Sequence, residues 1–223
     1  MSLAQKKMIV TGGAGVLGLA VATAARAQGA DVVLLDVVPG FESELGDYHQ
    51  VDLTDADALS ACIEGIGAFD AVANIAGGFD MGPTVYETDD ALWDGMFHIN
   101  VTTLRRVLNA TVPKLIAQGR GSIVNVGAMG ALRGTGNMGA YTAAKSTVMR
   151  LTEALSDEVR AQGVNVNAVL PSLIDTPRNR ADMPDADFAT WLKPEDLAAV
   201  VCFLASDAAR AVHGALVPVT ALV

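Results

Sequence analysis

The sequence predicts an α/β fold class: a single domain over residues 1–223, with a doubly wound, seven-stranded parallel sheet and helices on both faces. Three observations carry that expectation. Short Val, Ile, Leu and Ala runs alternate with longer helical patterns from end to end, as they do when parallel strands are joined by helical crossovers. Hydrophobic residues make up 51% of the chain but aromatics only 5%, an aliphatic composition suited to strands buried on both faces. No Pro/Gly/Ser linker, charge block or internal repeat divides the sequence.

The elements follow in order. Lys7–Thr11 reads as the first strand and Gly15–Gln28 as a helix; Asp31–Leu35 is the second strand, Tyr48–Val51 a short third, and Ala56–Glu64 a helix. Phe69–Asn74 is the fourth strand, and one long helix is expected from Asp89 to Gln118, with Leu104, Leu108, Val112 and Leu115 at helical spacing. Ser122–Val126 is the fifth strand. Met138–Gln162 is a second long helix, with Val148, Leu151, Leu155 and Val159 on one stripe. Val164–Leu170, a helix at Glu195–Ser206 and a seventh strand at Ala215–Val219 complete the pattern. Between Pro171 and Pro194 the regularity lapses into a proline-containing, charged stretch. A loop that long is expected to cover a substrate.

Charge and composition exclude several function classes. With 25 acidic and 15 basic residues the net charge is −10, which argues against nucleic acid or an anionic membrane as partner. Cys62 and Cys202 fall in separate helical segments, and His49, His98 and His213 are scattered, so neither a disulfide framework nor a metal site is expected. The opening MSLAQKKMIVTGG lacks the apolar stretch of a signal peptide, and the longest apolar run, Leu197 to Ala205, is too short to span a bilayer. A soluble, cytoplasmic protein is the expectation.

Chemistry begins directly after the first strand. Thr11-Gly12-Gly13-Ala14-Gly15-Val16-Leu17-Gly18 satisfies both G-x-G-x-x-G and T-G-x-x-G-x-x-G while opening a helix. Glycines let the backbone turn tightly and approach a pyrophosphate, which the free N–H groups at the helix start then receive. This strand–turn–helix context predicts a dinucleotide site of the Rossmann type. Asp36 ends the second strand 18 residues after Gly18, where a carboxylate can accept from both hydroxyls of the adenosine ribose and repel a 2′-phosphate. NADH is therefore expected over NADPH. Asp52, in Val51-Asp52-Leu53-Thr54, is placed either to touch the adenine amino group or to cap a helix beside Thr54.

Further along, Tyr141-Thr142-Ala143-Ala144-Lys145 puts a phenol and an ammonium on one face of a helix. A neighbouring cation favours the phenolate and would pull the tyrosine down from its ordinary value of about 10 toward the working range of a proton donor.

With these residues in view, the chain resembles the short-chain dehydrogenase/reductase family over essentially its whole length. The resemblance rests on the glycine turn, Asn74-Ile75-Ala76-Gly77, Asn100, Tyr141 with Lys145, and Pro171 with Ile174 and Thr176. It implies Tyr141 as proton donor, Lys145 as holder of the nicotinamide ribose, and Asn100 as anchor of a water in the proton relay. By the same resemblance Gly12, Gly15, Val16, Leu17, Gly18, Asp36, Asp52, Leu53, Asn74, Ala76, Gly77, Tyr141, Lys145 and Pro171 bind the cofactor, with Ile174 and Thr176 at its carboxamide. Three departures stand out. Ala128 occupies the usual catalytic serine position, Val16 replaces a glycine of the turn, and the closing Val219-Thr220-Ala221-Leu222-Val223 lacks the family's aspartate-glycine-glycine tail.

The first two departures are shared by the quinonoid dihydropteridine reductases, which are also similar in Ala76-Gly77-Gly78, in Gly134-Thr135 with Met138, and in the loop from Leu170 through Trp191. Asn100 sets this chain apart from that branch. The resemblance implies hydride transfer to a conjugated C=N or C=O acceptor, with Ala128, Met129 and Trp191 near the substrate. A ketone or 3-oxoacyl reductase, using Thr135 or Asn137 in place of the serine, is the alternative. A non-catalytic NAD(H)-sensing module is the third, although a binding module needs no proton donor. The small-molecule substrate is expected to be met by a homodimer or homotetramer, paired through the two long helices.

Overall fold

The computed structural model describes residues 2–222; Met1 and the last residue of the tail, Val223, lie outside it. Seven strands form one sheet: β1 (Lys7–Thr11), β2 (Asp31–Asp36), β3 (Asp47–Gln50), β4 (Ala71–Asn74), β5 (Gly121–Val126), β6 (Val164–Pro171) and β7 (Leu216–Val219). Their order is β3-β2-β1-β4-β5-β6-β7, and every neighbouring pair is parallel. The chain winds outward from β1 through β2 to β3, then crosses back to β4 and winds the other way. A crevice therefore opens beyond the carboxyl ends of β1 and β4, where the winding direction reverses. The register sets Leu35, Thr11, Asn74 and Asn125 in one row across the sheet, so those carboxyl ends are level.

Among the described residues there are seven α-helices, α1 (Val16–Ala27), α2 (Ala56–Ile66), α3 (Asp90–Phe97), α4 (Thr103–Gln118), α5 (Gly139–Val159), α6 (Pro177–Asp182) and α7 (Pro194–Ala205); α1 and α7 cover one face of the sheet and α2, α4 and α5 the other. Strand side chains alternate between the two faces. Met8, Val10, Val32, Leu34, Ala73 and Val169 turn to the core under α1 and α7, while Ile9, Val33, Leu35, Val72, Ile123 and Val166 turn to the core under α2, α4 and α5. Both faces are thus dry, as the near-continuous aliphatic strands require. Fully burying each Val, Leu or Ile contributes about 1.5–3 kcal/mol. Small residues on the helices, Ala22, Ala25, Ala198 and Ala205, let α1 and α7 pack closely on one another and on the sheet.

Most element boundaries move from their sequence expectation by only one to a few residues, but two segments differ in kind. The helix expected over Asp89–Gln118 is broken: α3 ends at Phe97, a π-helical stretch runs from His98 to Thr102, and α4 begins at Thr103. Asn100 is the cause. Its amide Nδ2 donates to the Met96 carbonyl at 3.0 Å and to the Gly78 carbonyl at 3.0 Å, which competes with the regular helical ladder. The stretch after β6 is also more ordered than a loop. Thr176 accepts from the Asn179 N–H to cap α6, Pro177 fills its first position, and a bridge pairs Ile174 with Leu192.

At the far edge, Asn165 donates to the carbonyls of Ala209, Arg210 and Val212, and Asn167 holds both Val212 and Ala215. These two side chains dock the approach to β7 onto β6. Among the described residues, no helix is long and apolar enough to cross a membrane.

Candidate active site

The turn between β1 and α1 is bare backbone packed on backbone. A Cβ at Gly18 would sit 2.1 Å from the Gly12 carbonyl oxygen, and one at Gly12, whose φ is +65°, would sit 2.9 Å from the Ala76 nitrogen. A Cβ at Gly15 would meet the Gly12 carbonyl oxygen at 3.3 Å, closer than an ordinary contact. Within the turn the Gly13, Ala14 and Gly15 N–H groups already have acceptors in Leu35, Asp36 and Gly12. The N–H groups of Val16, Leu17 and Gly18, the first three of α1, have no protein acceptor among the described residues. They form the positive helix start that a pyrophosphate needs. Val16 carries its side chain outward, 43% exposed, whereas Leu17 leans on the core under α1.

Asp36 stands beside this turn and is held there. Its Oδ2 accepts from the Ala14 N–H at 3.0 Å and its Oδ1 from the Val37 N–H at 2.7 Å, which fixes the carboxylate at the end of β2. The cap of α2 is not Asp52 but Asp55, which accepts from the Asp57 and Ala58 N–H groups. Asp52 instead accepts from the N–H and hydroxyl of Thr54, which hold its carboxyl below the usual carboxylate range. Leu53 turns its side chain into the core under α2, leaving only its backbone for contact.

Thr11 joins β1 to the segment after β4 by accepting from the Ile75 and Ala76 N–H groups. Asn74, at the end of β4, donates to Asn125, which donates to Thr152 of α5. The Asn74 Oδ1 is buried with no partner, an acceptor at the crevice awaiting a donor. Gly77 forms a cradle: a Cβ there would lie 2.8 Å from Asn100 Oδ1 and 3.2 Å from Lys145 Nζ. Asn100 Oδ1 also accepts from the Gly78 N–H at 3.1 Å, so its amide grips Gly78 by both backbone atoms.

Lys145 is buried, belongs to none of the ion pairs among the described residues, and donates to the Val126 carbonyl at 2.9 Å. Burial without a counter-charge pushes its ammonium down to about 8. Tyr141, one turn earlier on α5, packs between the cluster of Ala140, Ala144 and Val148 and the cluster of Ala128, Met149 and Leu170. Here the structure corrects the expectation that Lys145 lowers the phenol. Desolvation pushes Tyr141 up to about 12, and one of the Lys145 N–H groups donates to the Val126 carbonyl.

Ala128 is buried in the wall behind Tyr141, with Met129 half-buried beside it. Thr135 and Asn137 lie on the exposed loop ahead of α5, and Asn137 adopts a left-handed φ of +62°. Pro171 ends β6, and Ile174 leans on the core under α1 and α7. The segment beyond is tied to itself. Arg180 grips Asp175 with two bonds of 2.5 and 2.7 Å and lies 4.7 Å over the Phe188 ring, which meets the edge of Trp191. Trp191 is only 5% exposed, so its ring serves as a pillar of this segment. Phe79 had no sequence signal beyond its glycine neighbours, yet its ring stands 4.9 Å from that of Tyr141 at 87°. Among the described residues, no group of three or more His, Cys, Asp and Glu could hold a metal ion.

The bare turn, the free N–H groups of α1, the fixed carboxylate of Asp36, the unpartnered Asn74 oxygen and the Gly77 cradle together fit a nicotinamide dinucleotide laid across the switch point.

Comparison with known proteins agrees with this architecture. Residues 6–187 match the family model described as short chain dehydrogenase. The short chain dehydrogenase adrF of Penicillium rubens is 31% identical, over 98% of this chain and 97% of its own. Carveol dehydrogenase from Mycobacterium avium, solved in complex with NAD, superposes with a TM-score of 0.88 at 27% identity, covering 98% of this chain and 97% of that one. A Beutenbergia cavernae protein, described as a candidate NAD(P)-dependent gluconate 5-dehydrogenase and solved with NADP at low occupancy, has a TM-score of 0.89. It is 29% identical and covers 99% of this chain and 97% of its own.

Proposed function

The chain belongs to the short-chain dehydrogenase family and is an NAD(P)-dependent oxidoreductase; on that premise we propose that it reduces a conjugated C=N or C=O acceptor, as a dihydropteridine reductase does. The observation that carries the proposal is the meeting of Lys145 and Asn100 at the Gly77 cradle, with Tyr141 one turn before Lys145 on α5 and Ala128 in the wall behind it where a second hydroxyl would otherwise stand. When bound, the nicotinamide supplies the hydride. Tyr141 donates the proton from its Oη to the acceptor atom. Lys145 and Asn100 border the cradle in which the nicotinamide ribose would sit, and Ile174 and Thr176 are the residues to hold the carboxamide. Losing one donor to a developing alkoxide typically costs about 10²–10³ in rate. A conjugated acceptor spreads the charge and depends less on that donor.

We assign NADH as the preferred cofactor, because Asp36 is pinned where an adenosine ribose diol would lie and a 2′-phosphate would meet its charge. Asp52, Leu53, Asn74, Ala76 and Pro171 complete the proposed cofactor contacts, with Met129 and Trp191 on the substrate side. We also assign a homodimer or homotetramer. Leu108, Val112, Leu151 and Leu155 of α4 and α5 line an open groove of about 420 Å³ that a second copy would fill. We assign the reaction to the cytoplasm, on a small molecule, without nucleic acid or membrane as partner.

A second reading is favoured by the relatives. Carveol dehydrogenase is named for an alcohol, so a ketone or alcohol substrate taken without the serine is the competing assignment. Measuring NADH oxidation with a quinonoid dihydropterin and a panel of ketones separates the two. The proposal expects the pterin to be turned over well ahead of any simple ketone, with a loss of at least about 10² for Tyr141→Phe. Efficient ketone reduction with no pterin turnover establishes the second reading instead.

A further inference from the structure

Segment 77–82, between β4 and α3, is Gly77-Gly78-Phe79-Asp80-Met81-Gly82, and both of its ends are fixed. Gly78 is held at its N–H and its carbonyl by the Asn100 amide, at 3.1 and 3.0 Å. The Gly82 N–H donates to the Asn137 carbonyl at 2.8 Å, and its own carbonyl accepts from Asn137 Nδ2 at 3.3 Å. The glycines leave room for neighbouring side chains: a Cβ would lie 3.0 Å from Ile99 Cδ1 at Gly78 and 2.6 Å from Leu92 Cδ2 at Gly82. With Gly78 and Gly82 both hydrogen-bonded to their neighbours, Phe79 sits next to a fixed backbone position.

The Phe79 ring stands nearly perpendicular to the Tyr141 ring at 4.9 Å, an edge-to-face pair, yet it remains 39% exposed. An aromatic ring anchored on one side and open on the other, directly beside the proton donor, is a wall of the acceptor site. Ala128, Met129 and the α5 alanines pack Tyr141 with apolar surface, and a small recess lined in part by Asp80, Asn137 and Met138 also borders it. Phe79 is the exposed aromatic face beside the phenol ring, and a flat acceptor lying against that ring meets it.

We propose that Phe79 is a specificity-determining residue, selecting flat conjugated acceptors and turning away saturated, branched ones. The proposal rests on the reading of Tyr141 as proton donor. A planar molecule gains ring contact along Phe79 and needs little clearance. A saturated ring with axial substituents gains no such contact and needs more clearance beside the Phe79 ring. Phe79 acts on which molecule enters, not on the proton transfer itself.

The test uses Phe79→Ala and Phe79→Leu in the full chain with NADH saturating. Phenanthrenequinone serves as the flat probe and camphor as the bulky saturated one. Phe79→Ala should lower kcat/KM for the quinone about tenfold, mainly through KM, and raise it several-fold for camphor. NADH affinity should not change, and Phe79→Leu should fall between. The proposal is overturned if the two probes move together or neither moves. If the unmodified protein oxidises NADH with neither probe, neither is a substrate, and Phe79 is judged by probe binding to the NADH-loaded protein. Tighter binding of the quinone that Phe79→Ala abolishes sustains the proposal; binding unchanged by the substitution ends it.

Discussion

Replacing Lys145 with methionine should abolish turnover and, at neutral pH, make the protein more stable. Lys145 is buried with no carboxylate partner among the described residues, and its ammonium falls from the ordinary 10.5 to about 8. Holding the charged form in the folded chain therefore costs roughly 3 kcal/mol at any pH below 8. Methionine keeps most of the apolar stem and removes the charge. It forfeits the bond to the Val126 carbonyl, worth about 1 kcal/mol. The variant should then be about 2 kcal/mol more stable at pH 7.

The pH dependence gives the sharper check. Between pH 8 and 10.5 the unfolded chain holds the lysine proton and the folded chain does not, so stability rises with pH across that window. The methionine variant lacks this rise. Its advantage should shrink from pH 8 and reverse near pH 10. Tyr141, pushed up to about 12, keeps its proton in the folded state and lowers stability between pH 10 and 12. That contribution is present in both proteins and cancels in the difference. Urea denaturation followed by circular dichroism at pH 7 and pH 10, at one ionic strength, measures both differences. A variant less stable than its parent at pH 7, or a difference independent of pH, refutes the reasoning.

Three further outcomes are expected. NADH should bind at least about tenfold tighter than NADPH, roughly 1.4 kcal/mol, and Asp36→Ala should narrow that gap; equal affinities in the unmodified protein, read by fluorescence titration, exclude Asp36 as the selector. Ala128→Ser restores a hydroxyl in the wall behind Tyr141 and should raise kcat/KM for simple ketones at least tenfold while leaving a quinonoid acceptor within about threefold. A comparable gain on both would detach the missing serine from acceptor choice. The unmodified chain should sediment as a dimer or larger at micromolar concentration, and Leu151→Glu with Leu155→Glu should yield a monomer. A monomeric parent rules out the groove between α4 and α5 as the pairing face.

The parallel sheet and its cofactor turn were legible because their determinants are local. Thr11 to Gly18 places its glycines at fixed offsets after an aliphatic strand, and Asp36 falls where the second strand must end. The break at His98–Thr102 was not, because a π-helical insertion leaves the stripe of Leu104, Leu108, Val112 and Leu115 running on unchanged. Asn100, reaching Met96 and Gly78, and Thr103, donating to the Ile99 carbonyl, compete with the ladder there, and the Asn100–Gly78 partnership spans a loop. The direction of the Tyr141 displacement was misjudged for a related reason. Spacing places an ammonium beside a phenol, but how deeply each is buried depends on Phe79, Ala128 and Leu170, which arrive from three other segments. Helix α6 did have a local signal, Thr176 followed by Pro177, overshadowed by the charged and proline-containing stretch around it.

The bridge between Ile174 and Leu192 has an evolutionary consequence. The Leu192 N–H donates to the Leu173 carbonyl, and its own carbonyl accepts from the Asp175 N–H, so the two ends of the segment stand side by side. Everything between them, including α6 and the stacked Arg180 and Phe188, is an excursion that leaves the sheet and returns to the same place. Its length can drift cheaply, since doubling a loop costs only about 0.6 kcal/mol in closure. Its length between α6 and Trp191 can change without moving the strands or the glycine turn, as long as Ile174 stays paired with Leu192 and Thr176 keeps its place at the start of α6.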